Sequence, residues 1–147
     1  MPSSAAATRV FFAFAFAIAL AAPALANPMQ KPADVSGAWA FETQTYGNSC
    51  QLSGSLTLRP AGVGYSCAFT ARERCADITV KAQETCTAAR SGDSLTIKAF
   101  VTKVAPQVAY SPDDFVLTIK SGAQMHGELR SFHSAPVDFF RGDAPVS

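Results

Sequence analysis

From Val35 onward, apolar and polar residues alternate with a period of two, and the pattern persists almost to the end of the chain. Alternation of this kind gives a half-buried strand one apolar face. Over 37–46, Trp39 and Phe41 share a face opposite Glu42 and Gln44. Over 50–59, Cys50, Leu52, Leu56 and Leu58 oppose Gln51, Ser53, Ser55 and Thr57. A third strand sets Val63, Tyr65, Cys67 and Phe69 against Gly64, Ser66, Ala68 and Thr70. The fourth sets Ile78, Val80, Ala82 and Cys86 against Thr79, Lys81, Gln83 and Thr85. Leu95, Ile97, Ala99 and Val101 mark a fifth, Phe115, Leu117 and Ile119 a sixth, and Met125, Gly127 and Leu129 a seventh; a short eighth covers 137–141. Gly47-Asn48-Ser49, Pro60-Ala61-Gly62, Ser91-Gly92-Asp93 and Ser121-Gly122 are turn sequences, and 105–114, with Pro106 and Pro112, is a looser link. No apolar repeat of helical period and length follows residue 35. Eight such strands predict an all-β, antiparallel up-and-down meander, and closing it into a barrel removes the exposed edges. A two-sheet sandwich fits the same alternation.

The first residues change the picture, because they read as an address. Arg9 precedes an apolar run over 10–22, and Ala24-Leu25-Ala26 supplies small residues at a cleavage site. This is the pattern of a secretory signal peptide over 1–26. The run is shorter than the ~20 apolar residues of a membrane span, though an uncleaved anchor is the alternative. No Cys follows the cleavage site, which argues against a lipid anchor. An extended tail over 27–34 and a single domain over 35–147 remain, placed in the periplasm or outside the cell. Cleavage removes Arg9, so eleven of the twelve Lys and Arg balance the eleven Asp and Glu. A neutral chain carries no electrostatic footprint for nucleic acid or an anionic membrane.

Export into an oxidising compartment makes four cysteines two disulfides. Cys50, Cys67, Cys75 and Cys86 contain no C-x-x-C pair, and neither His stands at a zinc-ligand spacing. Strand register selects the pairing. A two-residue turn at Ala76-Asp77 sets Cys67 opposite Cys86, and a turn around Ala61-Gly62 leaves Cys50 one step from Cys75 with the right parity. Cys67 and Cys75 lie on one strand, roughly 26 Å apart at about 3.3 Å per residue, whereas bridged Cα atoms sit about 4.4–6.8 Å apart. The expected bridges are Cys50–Cys75 and Cys67–Cys86.

Candidate chemistry is sparse. His126 and His133 read as solvated, Asp113-Asp114 after Pro112 as turn residues, and no nucleophile elbow or phosphate loop appears. No enzyme activity, metal or cofactor is expected. Glu84 is the one charge at an inward position, between Ala82 and Cys86. Facing a cavity, it would have a raised pKa or bind a ligand; at the rim, or turned out by a bulge, it would be solvated. Phe41, Tyr65, Phe69, Phe115 and Met125 also face inward. With Glu84 they line a pocket for a small apolar ligand, or they fill a core, since eight strands leave room for either.

Gly37-Ala38-Trp39 on the first strand and Arg141 after Phe139-Phe140 on the last resemble the calycin pattern, the barrel group of lipocalins and avidins. The resemblance implies that Arg141 stacks on Trp39 and closes one barrel end, with Arg130 the alternative. The same opening resembles the Inh-type inhibitors of secreted bacterial metalloproteases. Cys50 and Cys75 match the place of that family's disulfide, and the family's use of its tail implies an inhibitory role for 27–35. A second cysteine pair, a longer second half and two tail prolines depart from that family. The expected function is a non-enzymatic exported binding protein, taking a small apolar ligand in the barrel or a protein partner at its rim. The alternatives are periplasmic metalloprotease inhibition through the tail, with a secreted protease as partner, and a purely structural envelope role.

Overall fold

The computed structural model describes residues 31–142. The expected signal peptide and residues 27–30 of the expected tail lie outside them. Eight strands form a closed antiparallel barrel in sequence order: β1 (Gly37–Thr43), β2 (Cys50–Ala61), β3 (Gly64–Cys75), β4 (Ile78–Ser91), β5 (Ser94–Ala105), β6 (Asp114–Ile119), β7 (Gln124–Arg130) and β8 (Ser134–Arg141). β1 closes the cylinder by pairing with both β2 and β8. The expected all-β barrel is therefore the fold.

Two local corrections matter. The turn between β2 and β3 is Gly62-Val63, one residue later than Ala61-Gly62, because Ala61 pairs with Gly64. Gly62 takes φ 58°, a left-handed conformation that glycine adopts without a Cβ clash. This shift leaves Val63 exposed at the turn rather than inside, and it brings Cys50 directly opposite Cys75. At the other end of the sheet Ile78, expected inside, is also exposed, since it starts β4 beside the Ala76-Asp77 turn. β1 stops at Thr43, short of Tyr46, which instead pairs with Cys50 in an isolated bridge.

Both expected disulfides form, Cys50–Cys75 and Cys67–Cys86, stitching β2 to β3 and β3 to β4. The cylinder is filled along its middle. Phe41 stacks on Phe139 at 5.1 Å between centroids and meets Phe115 edge-on at 5.4 Å and Phe69 at 5.9 Å. Phe115 and Phe139 close the cluster at 5.2 Å. Such pairs add about 0.5–1.5 kcal/mol each beyond area burial.

Gly54 makes room for this cluster. It faces inward opposite Phe41, and a Cβ there would overlap the Thr70 carbonyl oxygen and come within 2.5 Å of Phe41 Cζ. Gly54→Ala is expected to cost about 1–3 kcal/mol in urea unfolding, the range for overpacked cores. A loss below about 0.5 kcal/mol would show that the ring has a free alternative position.

One end of the barrel is sealed. Arg141 lies over the Trp39 ring, 4.2 Å from its centroid. Its guanidinium also donates to the carbonyls of Ser36, Asp34 and Gly122. Trp39 Nε1 donates to Val35 O at 2.8 Å, and Arg90 holds the Ala33 carbonyl. The incoming chain is thus tied across the barrel bottom. Arg141→Ala is expected to cost about 2 kcal/mol, from a cation–π contact and several charge-assisted hydrogen bonds. It should also red-shift the fluorescence of Trp39, the single tryptophan.

Candidate functional site

The opposite end carries the polar chemistry. Besides the tight 76–77 turn between β3 and β4, three connections meet there: residues 44–49 between β1 and β2, 106–113 between β5 and β6, and 131–133 between β7 and β8. The Tyr46–Cys50 bridge fixes the first through two backbone hydrogen bonds of 2.8 Å, and the Cys50–Cys75 disulfide ties its base to β3. The last is a tight turn in which the Ser131 N–H donates to the His133 carbonyl. Asp114 anchors the end of the middle connection, accepting from Lys98 Nζ at 2.6 Å and from the Ala99 N–H at 2.8 Å.

Between these connections lies a cleft of about 550 Å³. Its wall includes Tyr46, Glu73, Tyr110, Asp113, Phe132 and His133, with the Cys50–Cys75 bridge at one side. A shallower hollow of about 510 Å³ adjoins it on the outer wall, bordered by Lys98, Phe100, Pro112 and Phe132. Phe132 is 82% exposed between the two.

Carboxyl groups and tyrosines form two hydrogen-bonded groups, Tyr46–Glu73 and Tyr110–Asp113–Glu84. Tyr46 Oη donates to Glu73 Oε1 at 2.7 Å. Tyr110 Oη donates to Asp113 Oδ2 at 2.7 Å. The Asp113 N–H donates to Glu84 Oε2 at 3.1 Å, while Glu84 Oε1 is buried without a partner. Glu84 is 2% exposed and Asp113 3%. Burial pushes the Glu84 carboxyl up to about 9, helped by the negative charge of Asp113 and a side-chain hydrogen bond to it. Burial also raises Asp113, to about 6, against hydrogen bonds from Glu84 and Tyr110 that favour its charged form. Glu84 is therefore the neutral member of the pair. Burial and the adjoining carboxylates push both tyrosine hydroxyls up, so they stay protonated donors.

The expected pocket residues are not gathered here. Phe41, Phe69 and Phe115 meet in the central cluster. Tyr65 and Met125 lie toward the sealed end, paired with Pro60 and Ile119, and only Glu84 lies near the mouth. A bulge does occur at Glu84, where the register with β5 slips between Gln83 and Glu84. Because the extra residue, Thr102, is on β5, Glu84 keeps its inward direction. His126 lies on the outer wall, 2.7 Å from Asp138.

Asp113 is the main correction to the sequence reading. Pro112-Asp113-Asp114 resembles an ordinary turn, yet only Asp114 behaves as a surface residue, while Asp113 is drawn inward onto Glu84. Tyr46 and Tyr110 join the site without a motif that marks them in the sequence. Two of the three tyrosines stand in connections, where a ring with a hydroxyl tip is suited to a half-buried polar site. Cys50, Glu73 and Cys75 cluster at metal-ligand distance, but the disulfide occupies both sulfurs.

No family model matches the chain, and neither a curated protein nor a solved structure matches it.

Proposed function

We propose that the chain is a non-enzymatic, exported binding protein of calycin-like type that works at the mouth of its barrel. One observation carries this reading. The middle of the cylinder is occupied by Phe41, Phe69, Phe115 and Phe139, whereas the cleft between the three mouth connections is open. A preformed concavity of a few hundred Å³ with convergent polar groups is the usual form of a ligand site. The exposed Phe132 ring and its neighbour His133, 4.8 Å away, give the rim an aromatic contact surface. Native mass spectrometry of the chain purified from its own exported fraction tests the reading. A co-purifying species that is lost in Phe132→Ser but kept in Met125→Leu supports it; one lost only on the interior substitution would place the ligand in the barrel.

The tied segment at the sealed end favours a second reading, inhibition of a secreted metalloprotease. Arg90 and Arg141 hold the backbone of residues 33–36, which anchors the C-terminal end of the expected tail. Preorganisation of that kind lowers the entropy cost of inserting a tail into a cleft. Deleting residues 27–32 should then abolish inhibition while leaving thermal stability unchanged. Unaltered inhibition by the shortened chain would remove this reading.

A further inference from the structure

We propose that the mouth cleft binds a small organic cation, an alkylammonium or arylalkylammonium. Its charged head would sit between the Glu73 and Asp113 carboxylates and its body against the rings of Tyr46, Phe132 and His133. This rests on the mouth being the working end.

The charge inventory of the cleft comes first. Glu73 and Asp113 both line it, and Glu84 stands directly behind Asp113. The ion pairs among the described residues lie elsewhere, at Lys98–Asp114, His126–Asp138 and Arg130–Glu128. Among the described residues no Lys or Arg lines the cleft, and His133 is its sole basic side chain. Tyrosine hydroxyls hydrogen-bond both lining carboxylates, but no cation among the described residues lines the cleft to balance their charge. Behind Asp113, the buried Glu84 Oε1 has no hydrogen-bond partner among the described residues.

Hydrogen-bond capacity points the same way. Each lining carboxylate spends one oxygen on a tyrosine hydroxyl, Glu73 Oε1 on Tyr46 and Asp113 Oδ2 on Tyr110. Those hydroxyls hold the carboxylates in place, and a carboxylate has lone pairs for further donors. An ammonium offers only donors and suits them. An anion would meet like charge, and a neutral apolar molecule would desolvate the carboxylates without compensation. The aromatic wall favours an organic cation over a bare metal ion, because ring faces attract ammonium groups, whereas a hard metal ion wants about six oxygens. Tyr46 and His133 rings stand 6.1 Å apart on one side of the cleft, and Phe132 lies edge-on to His133.

Titrations of the exported chain with 2-phenylethylamine, 2-phenylethanol and calcium at pH 7.5, followed by calorimetry and amide NMR, test the proposal. The amine is expected to bind one to one, at least tenfold tighter than the alcohol, shifting amides at 46, 73, 110–113 and 131–133. Glu73→Gln, a half-buried position that should fold normally, and Asp113→Asn are each expected to weaken the amine at least fivefold and leave the alcohol unchanged. Repeated at pH 6, where Asp113 is part-protonated, amine binding should also release protons, read from titrations in buffers of different ionisation enthalpy, because a cation beside Asp113 favours its charged form. Equal binding of amine and alcohol at the mouth overturns cation selectivity while the mouth remains the binding end. Mouth amides that respond to neither probe overturn both. Calcium moving these amides while the amine does not, or Glu73→Gln leaving amine affinity unchanged, also overturns the proposal.

Discussion

Replacing all four cysteines with alanine is expected to lower unfolding free energy by about 5–6 kcal/mol and leave little folded protein at 37 °C. The bridges close segments of 25 and 19 residues. The chain-entropy relation assigns roughly 3.5 and 3.2 kcal/mol to loops of that size, and slightly less than their sum when the loops overlap. Small domains are stable by about 5–15 kcal/mol in all, so the combined loss is a large part of the total. Both bridges link neighbouring strands of the continuous β2–β3–β4 meander, where they also fix register. Removing Cys67–Cys86 alone should cost about 3 kcal/mol. Urea unfolding of the single-bridge and bridge-free variants checks these values. A total loss under 1 kcal/mol would mean that strand pairing alone already restrains the unfolded chain.

Glu84→Gln has the opposite sign: it is expected to stabilise the protein by about 2–4 kcal/mol at pH 8 and by almost nothing near pH 4. The folded-state values of Glu84 and Asp113, about 9 and about 6, lie above their ordinary values of 4.5 and 3.8. Between those limits the folded chain holds protons that the unfolded chain has released. Stability is therefore greatest below about pH 4 and falls as pH rises through 6 toward 9. A glutamine keeps the shape, offers an N–H to the Asp113 carboxylate and retains a carbonyl for the Asp113 N–H. It removes the cost of leaving a buried carboxyl to ionise, as neutral replacements of buried charges commonly do. Thermal melts across pH 4–9 should show a falling curve for the wild type and a flatter one for the variant. Parallel curves would mean that Glu84 does not hold its proton.

Strand count, face assignment and both disulfides were legible in the sequence because each depends on period-two parity, which the chain keeps with few exceptions. Cys67 opposite Cys86 follows from one two-residue turn. Val63 departs from the alternation because a positive φ at Gly62 places the turn one residue later, and an apolar side chain there has no inward face. Glu84 was legible as an inward charge, since parity alone marks it. Its partner was not, because Asp113 lies in a proline-bounded connection 29 residues away, where alternation carries no information. The same limit hid Tyr46 and Tyr110. Their roles depend on how three connections converge at the mouth, a tertiary fact without local signature.

The mouth as binding end is tested most directly with a spin-labelled amine. Adding 4-amino-TEMPO, with 4-hydroxy-TEMPO as the neutral control, to the isotope-labelled chain maps its resting place by line broadening. The expected result is broadening concentrated at residues 44–49, 106–113 and 131–133, with amides around Trp39, Gly122 and Arg141 at the sealed end untouched. Broadening centred on the sealed end, or spread evenly over the outer wall with the mouth spared, would contradict it.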